Sequence, residues 1–161
     1  MLAGFRWVEL TDDLRYHINN TVAGADYRYN NHLYGAQIGA DCALTNRCSR
    51  LQINAVGKAG LYGNVSDGGV YEFQPVTNPV GKFTGDDNTT AFIGELDFSA
   101  TYWVTGHIAL RGGYQLLWLD NVALAADAAS RSMTNPSLLR NVDNDGHLFY
   151  NGATAGIDFV W

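Results

Sequence analysis

Alternation of apolar and polar residues at every second position is the feature that most constrains this chain. In residues 91–103, Phe92 and Leu96 belong to an apolar face, and Glu95 and Asp97 belong to the opposite face. Alternation over so many residues predicts a β-strand with two chemically different faces. The 18 Gly, 9 Tyr, 7 Phe and 4 Trp also favour strands over helices.

The same alternation recurs along the chain and predicts at least six strands. In the first of them the parity changes near residues 11–13, which predicts a bulge or a small hairpin. Residues 70–76 are a candidate for one more short strand, within a loop. The six predicted strands are 4–18, 32–41, 50–62, 91–103, 107–119 and 147–161.

The predicted connections are of two kinds, and they alternate in order along the chain. Residues 44–49 and 104–106 are short turns. The long polar stretches 19–31, 63–90 and 120–146 predict loops. In an up-and-down sheet this order gathers the long loops at one end and places both chain termini at the other.

Half-apolar strands arise either in a soluble sheet packed on a core or in a membrane barrel whose apolar face meets lipid. The strands predicted here reach 13 residues or more, whereas about 9–11 residues span a bilayer and soluble strands average roughly 5–6. Charged residues also lie in the middle of strands. In a barrel they would form a lumen charge network, and on a soluble sheet they would be solvated. They are Lys58, Glu95, Asp97, Arg111 and Asp158. Pairing residue 103 with 107 would place Ser99 opposite Arg111 and Asp97 diagonal to it.

Aromatic residues bracket the apolar faces, as in the girdles of membrane barrels. The predicted lipid-facing and girdle residues are Phe92, Leu96, Phe98, Tyr102, Leu110, Tyr114, Trp118, Ile157 and Phe159. A closing strand that ends on Phe159 and Trp161 resembles the C-terminal assembly signal of bacterial outer-membrane proteins. By that resemblance the outer-membrane insertion machinery would read these two residues.

The bulk composition narrows the function classes. A net charge of −6 without a Lys/Arg cluster argues against nucleic-acid binding. The sequence contains no run of 18 apolar residues, so no transmembrane helix is predicted. The opening residues 1–10 lack the features of a signal peptide, which predicts either a cytoplasmic chain or a fragment whose upstream part is missing.

Other candidate sites are weaker. Cys42 and Cys48 have the spacing of a disulfide across a turn, or they are two unpaired thiols. Residues 141–146 match the first half of a calcium loop, but the carboxylate required at its twelfth position is absent, so a polar surface loop is preferred. The four histidines lie near strand ends. No catalytic motif, metal site or cofactor site is predicted.

Longer stretches resemble the C-terminal part of a β-barrel porin family of planctomycete bacteria. They are "GFRWVELTDDL", "NHLYGAQIGAD", "FIGELDFSATYWVTGHIALRGGYQLLWLDNVALA" and "LFYNGATAGIDFVW", of which residues 111–125 are the most distinctive. Members of that family are longer and carry a signal peptide. The resemblance implies an outer-membrane barrel and supplies no catalytic residues.

The sequence therefore predicts one all-β domain, residues 1–161, folded as an antiparallel up-and-down transmembrane β-barrel. About six to eight strands come from this chain, and the barrel is either complete or the C-terminal part of a longer one. The predicted role is porin-like or structural in the bacterial cell outer membrane, with passive solute passage, no catalysis and no cofactor. Its expected partners are the lipid bilayer, the insertion machinery and further copies of the chain, with no nucleic acid. The alternatives are a soluble up-and-down β-barrel that binds a small apolar ligand and, third, an outer-membrane hydrolase.

Overall fold

The computed structural model describes residues 1–17, 24–45, 49–73, 81–134 and 142–161. It contains six strands and one helix in the described ranges. They are β1 (Leu2–His17), β2 (Gly24–Ala43), β3 (Leu51–Phe73), β4 (Gly81–Trp103), β5 (Ile108–Val122), α1 (Ala125–Thr134) and β6 (Gly146–Phe159).

The strands form a single antiparallel sheet in which every strand pairs with its neighbours in sequence. This confirms the all-β class and the up-and-down order. The sheet is not closed into a barrel, because β1 and β6 are its two edges. Both chain termini lie at the end of the sheet that carries the short turns.

β2, β3 and β4 are much longer than predicted, because large parts of the predicted loops 19–31 and 63–90 are strand. In the predicted loop 120–146 most of the described residues form α1 and irregular chain. The β3–β4 ladder extends from the Leu51–Tyr102 pair to the Glu72–Gly81 pair, so most of the predicted loop 63–90 is sheet. The predicted loop 19–31 likewise becomes strand from Gly24 onward. Residues 70–73 continue β3 and do not form a separate strand; residues 74–76 lie outside the described ranges.

The predicted bulge in β1 is wrong. The pairing of β1 with β2 runs without a register shift from Leu2–Gly39 to His17–Gly24. The parity change is real, but its cause is different: the apolar side chains move from one face of an uninterrupted strand to the other.

The predicted register of the β4–β5 hairpin is wrong by two residues. Trp103 pairs with Ala109, which places Thr101 and not Ser99 opposite Arg111. The turn is longer than the sequence indicated, because the amides of Val104 and Thr105 both donate to the carbonyl of Ile108, at 2.9 and 3.2 Å.

The two faces of the sheet are named here after adjacent residues of β4, the Leu96 face and the Glu95 face. A line across the strands also divides the sheet into two parts. The turn half comprises residues 1–7, 34–45, 49–61, 92–118 and 149–161; the loop half comprises residues 8–17, 24–33, 62–73, 81–91, 119–134 and 142–148.

The buried core belongs mainly to the loop half, on the Glu95 face. One cluster packs Tyr27, Tyr29 and Val70 against Ala125 and Ala129 of the helical segment. A second cluster centres on Leu33, Tyr62, Ala91, Leu119 and Val122, and extends to Ile93. Burial of these aromatic and aliphatic side chains removes apolar area from water and stabilises this half.

A bulge in β5 directs the chain onto this core. The register shifts between Asp120 and Val122, and Asn121 has a positive φ of 62°. Asparagine tolerates the left-handed conformation better than most residues, and its side-chain amide donates to the carbonyl of Thr90 at 3.0 Å. The chain beyond the bulge then crosses the Glu95 face and forms α1.

Candidate functional site

The most enclosed charged group of the turn half is Glu95. Its side chain is 11% exposed and bonds two cations: Arg6 at 2.8 Å through one carboxylate oxygen and Lys58 at 2.9 Å through the other. Gln115 donates to the same carboxylate at 3.4 Å. Opposite charges at this distance offset the cost of removing each from water. The Glu95 face therefore carries a compact, hydrogen-bonded ion cluster.

The five residues predicted as one charge network form separate groups. Lys58 and Glu95 lie directly opposite each other on β3 and β4. Arg111 pairs with Asp158 across β5 and β6 at 2.7 Å, away from the Glu95 cluster. Asp97 joins neither group in the described part of the chain.

Arg6 is the member of the cluster that the sequence did not identify. It lies on β1, whereas Glu95 lies on β4, three strands away in the sheet and 89 residues away in the chain. The signal was its position within the alternation of β1, on the parity opposite to Phe5 and Trp7. The parity change later in that segment obscured it.

The predicted lipid-facing residues lie on the Leu96 face of the turn half. Cross-strand pairs such as Phe98–Tyr114 and Leu110–Ile157 set their common orientation. Their side chains are largely open: Phe98, Leu110 and Ile157 are 44%, 47% and 58% exposed. Trp118 is half-buried, whereas the others are exposed, namely Phe92, Leu96, Tyr102, Tyr114 and Phe159.

Aromatic pairs lie where the apolar side chains of this face end. Trp7 and Tyr34 stack across β1 and β2, with ring centroids 6.4 Å apart. Trp118 and Phe149 pack across β5 and β6 at 5.4 Å. At the other end Trp161 is fully exposed.

Beyond these aromatic pairs the Leu96 face becomes polar. Arg15 pairs with Asp26 at 2.8 Å, and Arg28 pairs with Asp13 at 2.6 Å. The hydrogen bond from Arg28 holds the pKa of Asp13 below its usual value, and Asp13 raises the pKa of Arg28. Asn30 extends the polar surface by donating to Asp67 at 3.1 Å.

The charge of the two halves differs as well. Among the described side chains the turn half is balanced, with four carboxylates and four cations. The loop half carries three arginines and eleven carboxylates, namely Glu9, Asp12, Asp13, Asp26, Asp67, Asp86, Asp87, Asp120, Asp127, Asp143 and Asp145. The net negative charge of the chain therefore resides in the loop half.

The cysteine pair and the calcium-like stretch, which the sequence offered as weaker candidates, do not form a site in the described part of the chain. Cys42 is exposed, and the predicted disulfide involves Cys48, which lies outside the described residues. In the calcium-like stretch, Asp143 pairs with Arg131, and Asn144 accepts a hydrogen bond from Ser66 at 2.7 Å. These contacts are structural. Across the described ranges no three His, Cys, Asp or Glu side chains are grouped to hold a metal ion.

The histidines do not converge on one site. His32 on β2 lies 3.7 Å from Asp67 on β3, whereas His147 on β6 contacts Asp120 on β5. His107 is bonded to the carbonyl of Val160 at 3.0 Å. The side chain of His17 is outside the described set.

Comparison with known proteins does not assign the chain to a family. Among the described residues, no helix has the length and apolar character needed to cross a membrane. No protein-family model, no curated protein and no solved structure matches the chain. The resemblance to planctomycete porins therefore stays a prediction.

Proposed function

We propose that this chain is part of the wall of an outer-membrane β-barrel that allows passive passage of polar solutes. In this proposal the Leu96 face of the turn half contacts lipid and the Glu95 face lines a polar lumen. The loop half stands in water beyond the bilayer. No catalytic step is involved.

The observation that carries the proposal is the inversion of the apolar face. In the loop half, large apolar side chains such as Leu33 and Tyr62 are buried on the Glu95 face. In the turn half of the same strands, large apolar side chains such as Leu96 and Phe98 are exposed on the opposite face. An exposed apolar surface of this extent on a water-soluble protein would be an aggregation hazard. Lipid removes that cost.

The dimension of the apolar surface fits a bilayer. On β4 it extends from Phe92 to Tyr102. At about 3.3 Å per residue and a tilt of about 40°, these 11 residues rise roughly 25 Å, the apolar height of membrane barrels. The flanking pairs Trp7–Tyr34 and Trp118–Phe149 correspond to an interfacial aromatic girdle.

The Glu95 cluster suits a lumen wall better than a lipid contact. Its one carboxylate bonds both of its cations, Arg6 and Lys58, so each ionised side chain has a partner of opposite charge. Ionised side chains at bilayer depth are held in paired arrangements of this kind. The exposed Arg111–Asp158 pair would add a second polar group to the same wall.

The free edges of β1 and β6 require further strands. Unpaired backbone groups are not tolerated in hydrocarbon, so a sheet in a bilayer must close. The six strands of the described ranges are also fewer than the eight of the smallest bacterial outer-membrane barrels. Further strands would come from other copies of the chain or from additional sequence. The proposal keeps Phe159 and Trp161 as the element that the insertion machinery reads.

The alternative of a soluble barrel with an apolar ligand inside has less support. Such a barrel would enclose Phe98, Leu110 and Ile157, which are 44%, 47% and 58% exposed here. The remaining alternative, an outer-membrane hydrolase, would require that esterase or protease activity be lost when Glu95 is changed.

The proposal is tested by placing a charge on the Leu96 face in each half. Leu96→Arg puts a cation near the middle of the apolar surface and should weaken insertion by about 2–4 kcal/mol, as measured for lipid-facing charges at the bilayer midplane. Thr90→Arg is the matched control, because Thr90 lies on the same strand and face, just beyond the apolar surface. The free energy of folding into phosphatidylcholine vesicles, measured by urea titration, should fall for Leu96→Arg and stay unchanged for Thr90→Arg.

Equal stability of the two variants would contradict the proposal. So would a well-folded Leu96→Arg protein that stays soluble without detergent. Glu95→Gln provides a second check, since a lumen residue should tolerate the loss of charge far better than Leu96 tolerates its gain.

A further inference from the structure

The segment that follows β5 covers the Glu95 face of the loop half. We call residues 123–134 and 142–145 the plug segment. Ala123, Ala125, Ala129 and Val142 of this segment are buried against the aromatic cluster of β2 and β3. α1 lies over β1 and β2. The segment therefore occupies the face that would line the lumen.

Asn31 fastens the start of the plug segment to the sheet. Its side-chain amide donates to the carbonyl of Ala123 at 2.9 Å, and its carbonyl oxygen accepts from the amide of Ala123 at 2.7 Å. Asn31 is fully buried, and Asn64 donates to the same oxygen at 2.9 Å. Two reciprocal bonds reproduce the pairing of two strands and fix Ala123 in one place.

Three more hydrogen bonds hold the rest of the segment. The carboxylate of Asp12 on β1 accepts from the amide of Ala125 at 2.9 Å and caps the first turn of α1. At the other end, Asn144 accepts from buried Ser66 at 2.7 Å and donates to Asp87 at 2.9 Å. β1, β2, β3 and β4 therefore each contribute a polar contact to the same segment.

From these contacts we propose that the plug segment closes the lumen at the loop end and that Asn31 is the positioning residue that keeps it closed. The inference rests on the proposed passage function and deepens it. A surface loop without a role on the lumen would not need buried hydrogen bonds from four strands. Removal of the Asn31 contacts leaves two buried groups of Ala123 without partners, so the start of the segment detaches most easily there.

The test compares Asn31→Ala with Asn30→Ala in vesicles. Asn30 is the neighbouring residue on the opposite face, where its contacts are with Thr11 and Asp67. Hydrogen exchange of the amides of residues 123–134, followed by mass spectrometry, reports whether the segment is released. Conductance in planar bilayers with potassium chloride reports whether the passage opens. Asn31→Ala should exchange at least tenfold faster and conduct severalfold more, and Asn30→Ala should change neither.

Each outcome decides one proposal. If the wild type conducts, and Asn31→Ala exchanges faster but conducts no more than the wild type, the plug is overturned and the passage stands. Faster exchange in a protein that never conducts would contradict the passage itself, and the plug with it. Asp12→Ala is a second variant, which removes the contact at Ala125 in case Asn31→Ala fails to fold. It should produce the same pair of changes to a smaller degree.

Discussion

The two halves of this sheet share its six described strands and use opposite faces for their apolar side chains. In the loop half Leu33 and Tyr62 are buried on the Glu95 face. In the turn half Leu61 and Phe92 are exposed on the Leu96 face. β5 and β6 lie mostly in the turn half. The proposed function accounts for the difference by placing the turn half in lipid and the loop half in water.

The inversion requires no backbone irregularity in β1 to β4. The ladders of β1, β2, β3 and β4 run without a register shift through the change. The side-chain period of a strand is two, so moving the apolar residues by one position transfers them to the other face. One continuous sheet can therefore carry its apolar side chains on one face in one half and on the opposite face in the other half.

The largest contrast between the halves should appear in cavity formation. Leu33 is fully buried in the loop half, so Leu33→Ala should lower the free energy of unfolding by about 3–5 kcal/mol. Ile38 lies on the same strand in the turn half and is 71% exposed. Ile38→Ala leaves no cavity because lipid or detergent fills the space, and it should cost about 1–2 kcal/mol. Urea unfolding in detergent measures both, and equal losses would remove the distinction.

Glycines separate the halves on a smaller scale. A Cβ on Gly68 would lie 2.1 Å from a ring atom of buried Tyr29, so Gly68→Ala should cost about 1–3 kcal/mol by overpacking. A Cβ on Gly112, in the turn half, meets no atom within 4 Å. Gly112→Ala should be neutral or slightly stabilising, because alanine is less flexible in the unfolded chain. Thermal unfolding of the two variants checks the difference; a stable Gly68→Ala protein would mean that Tyr29 does not pack over this strand.

The fold was predictable from the sequence where the alternation was strong. All six predicted segments contain strand in the described ranges, in the predicted order. The extensions of β2, β3 and β4 were read as loops because Asn, Asp and Gly dominate them, as in "NVSDGG" (64–69). Those residues are strand here because both neighbouring strands extend equally far and pair with them. Such a tertiary effect leaves no local signal.

The site was predictable to a similar extent. Glu95 and Leu96 lie on opposite faces of the sheet, which follows from the parity of the strand alone. Their assignment to a lumen and to lipid stays a prediction. The bond of Arg6 to Glu95 and the bond of Asn31 to Ala123 join residues that are 89 and 92 positions apart in the chain. Parity gives the face of a residue, but only the register of several strands gives its partners.

Alkaline pH should loosen the loop half. Burial, with a smaller contribution from Tyr27 and an opposing one from Arg131, raises the pKa of Tyr29 above its ordinary value of 10.0. The stabilisation is fully present below the pKa of an unfolded tyrosine and is lost as the pH rises through the raised pKa of folded Tyr29. The free energy of unfolding by urea should therefore fall above about pH 10, and Tyr29→Phe should weaken that dependence. A Tyr29→Phe protein with an unchanged alkaline profile would assign the loss to another group.

Acid should produce the smallest effect, confined to the Leu96 face of the loop half. The pKa of Asp13 is held below its usual value by the hydrogen bond from Arg28. The stabilisation is therefore present above the pKa of an unfolded aspartate, about 4, and is lost as the pH falls through the lower pKa of folded Asp13. Both side chains are open to solvent, so salt should weaken the pair further. The free energy of unfolding should change slightly less between pH 7 and pH 3 in Asp13→Asn than in wild type. Asp41→Asn is the control, because Asp41 is an exposed aspartate of the turn half. If the two variants change the pH dependence of unfolding equally, the Asp13–Arg28 pair adds nothing to the stability of the loop half.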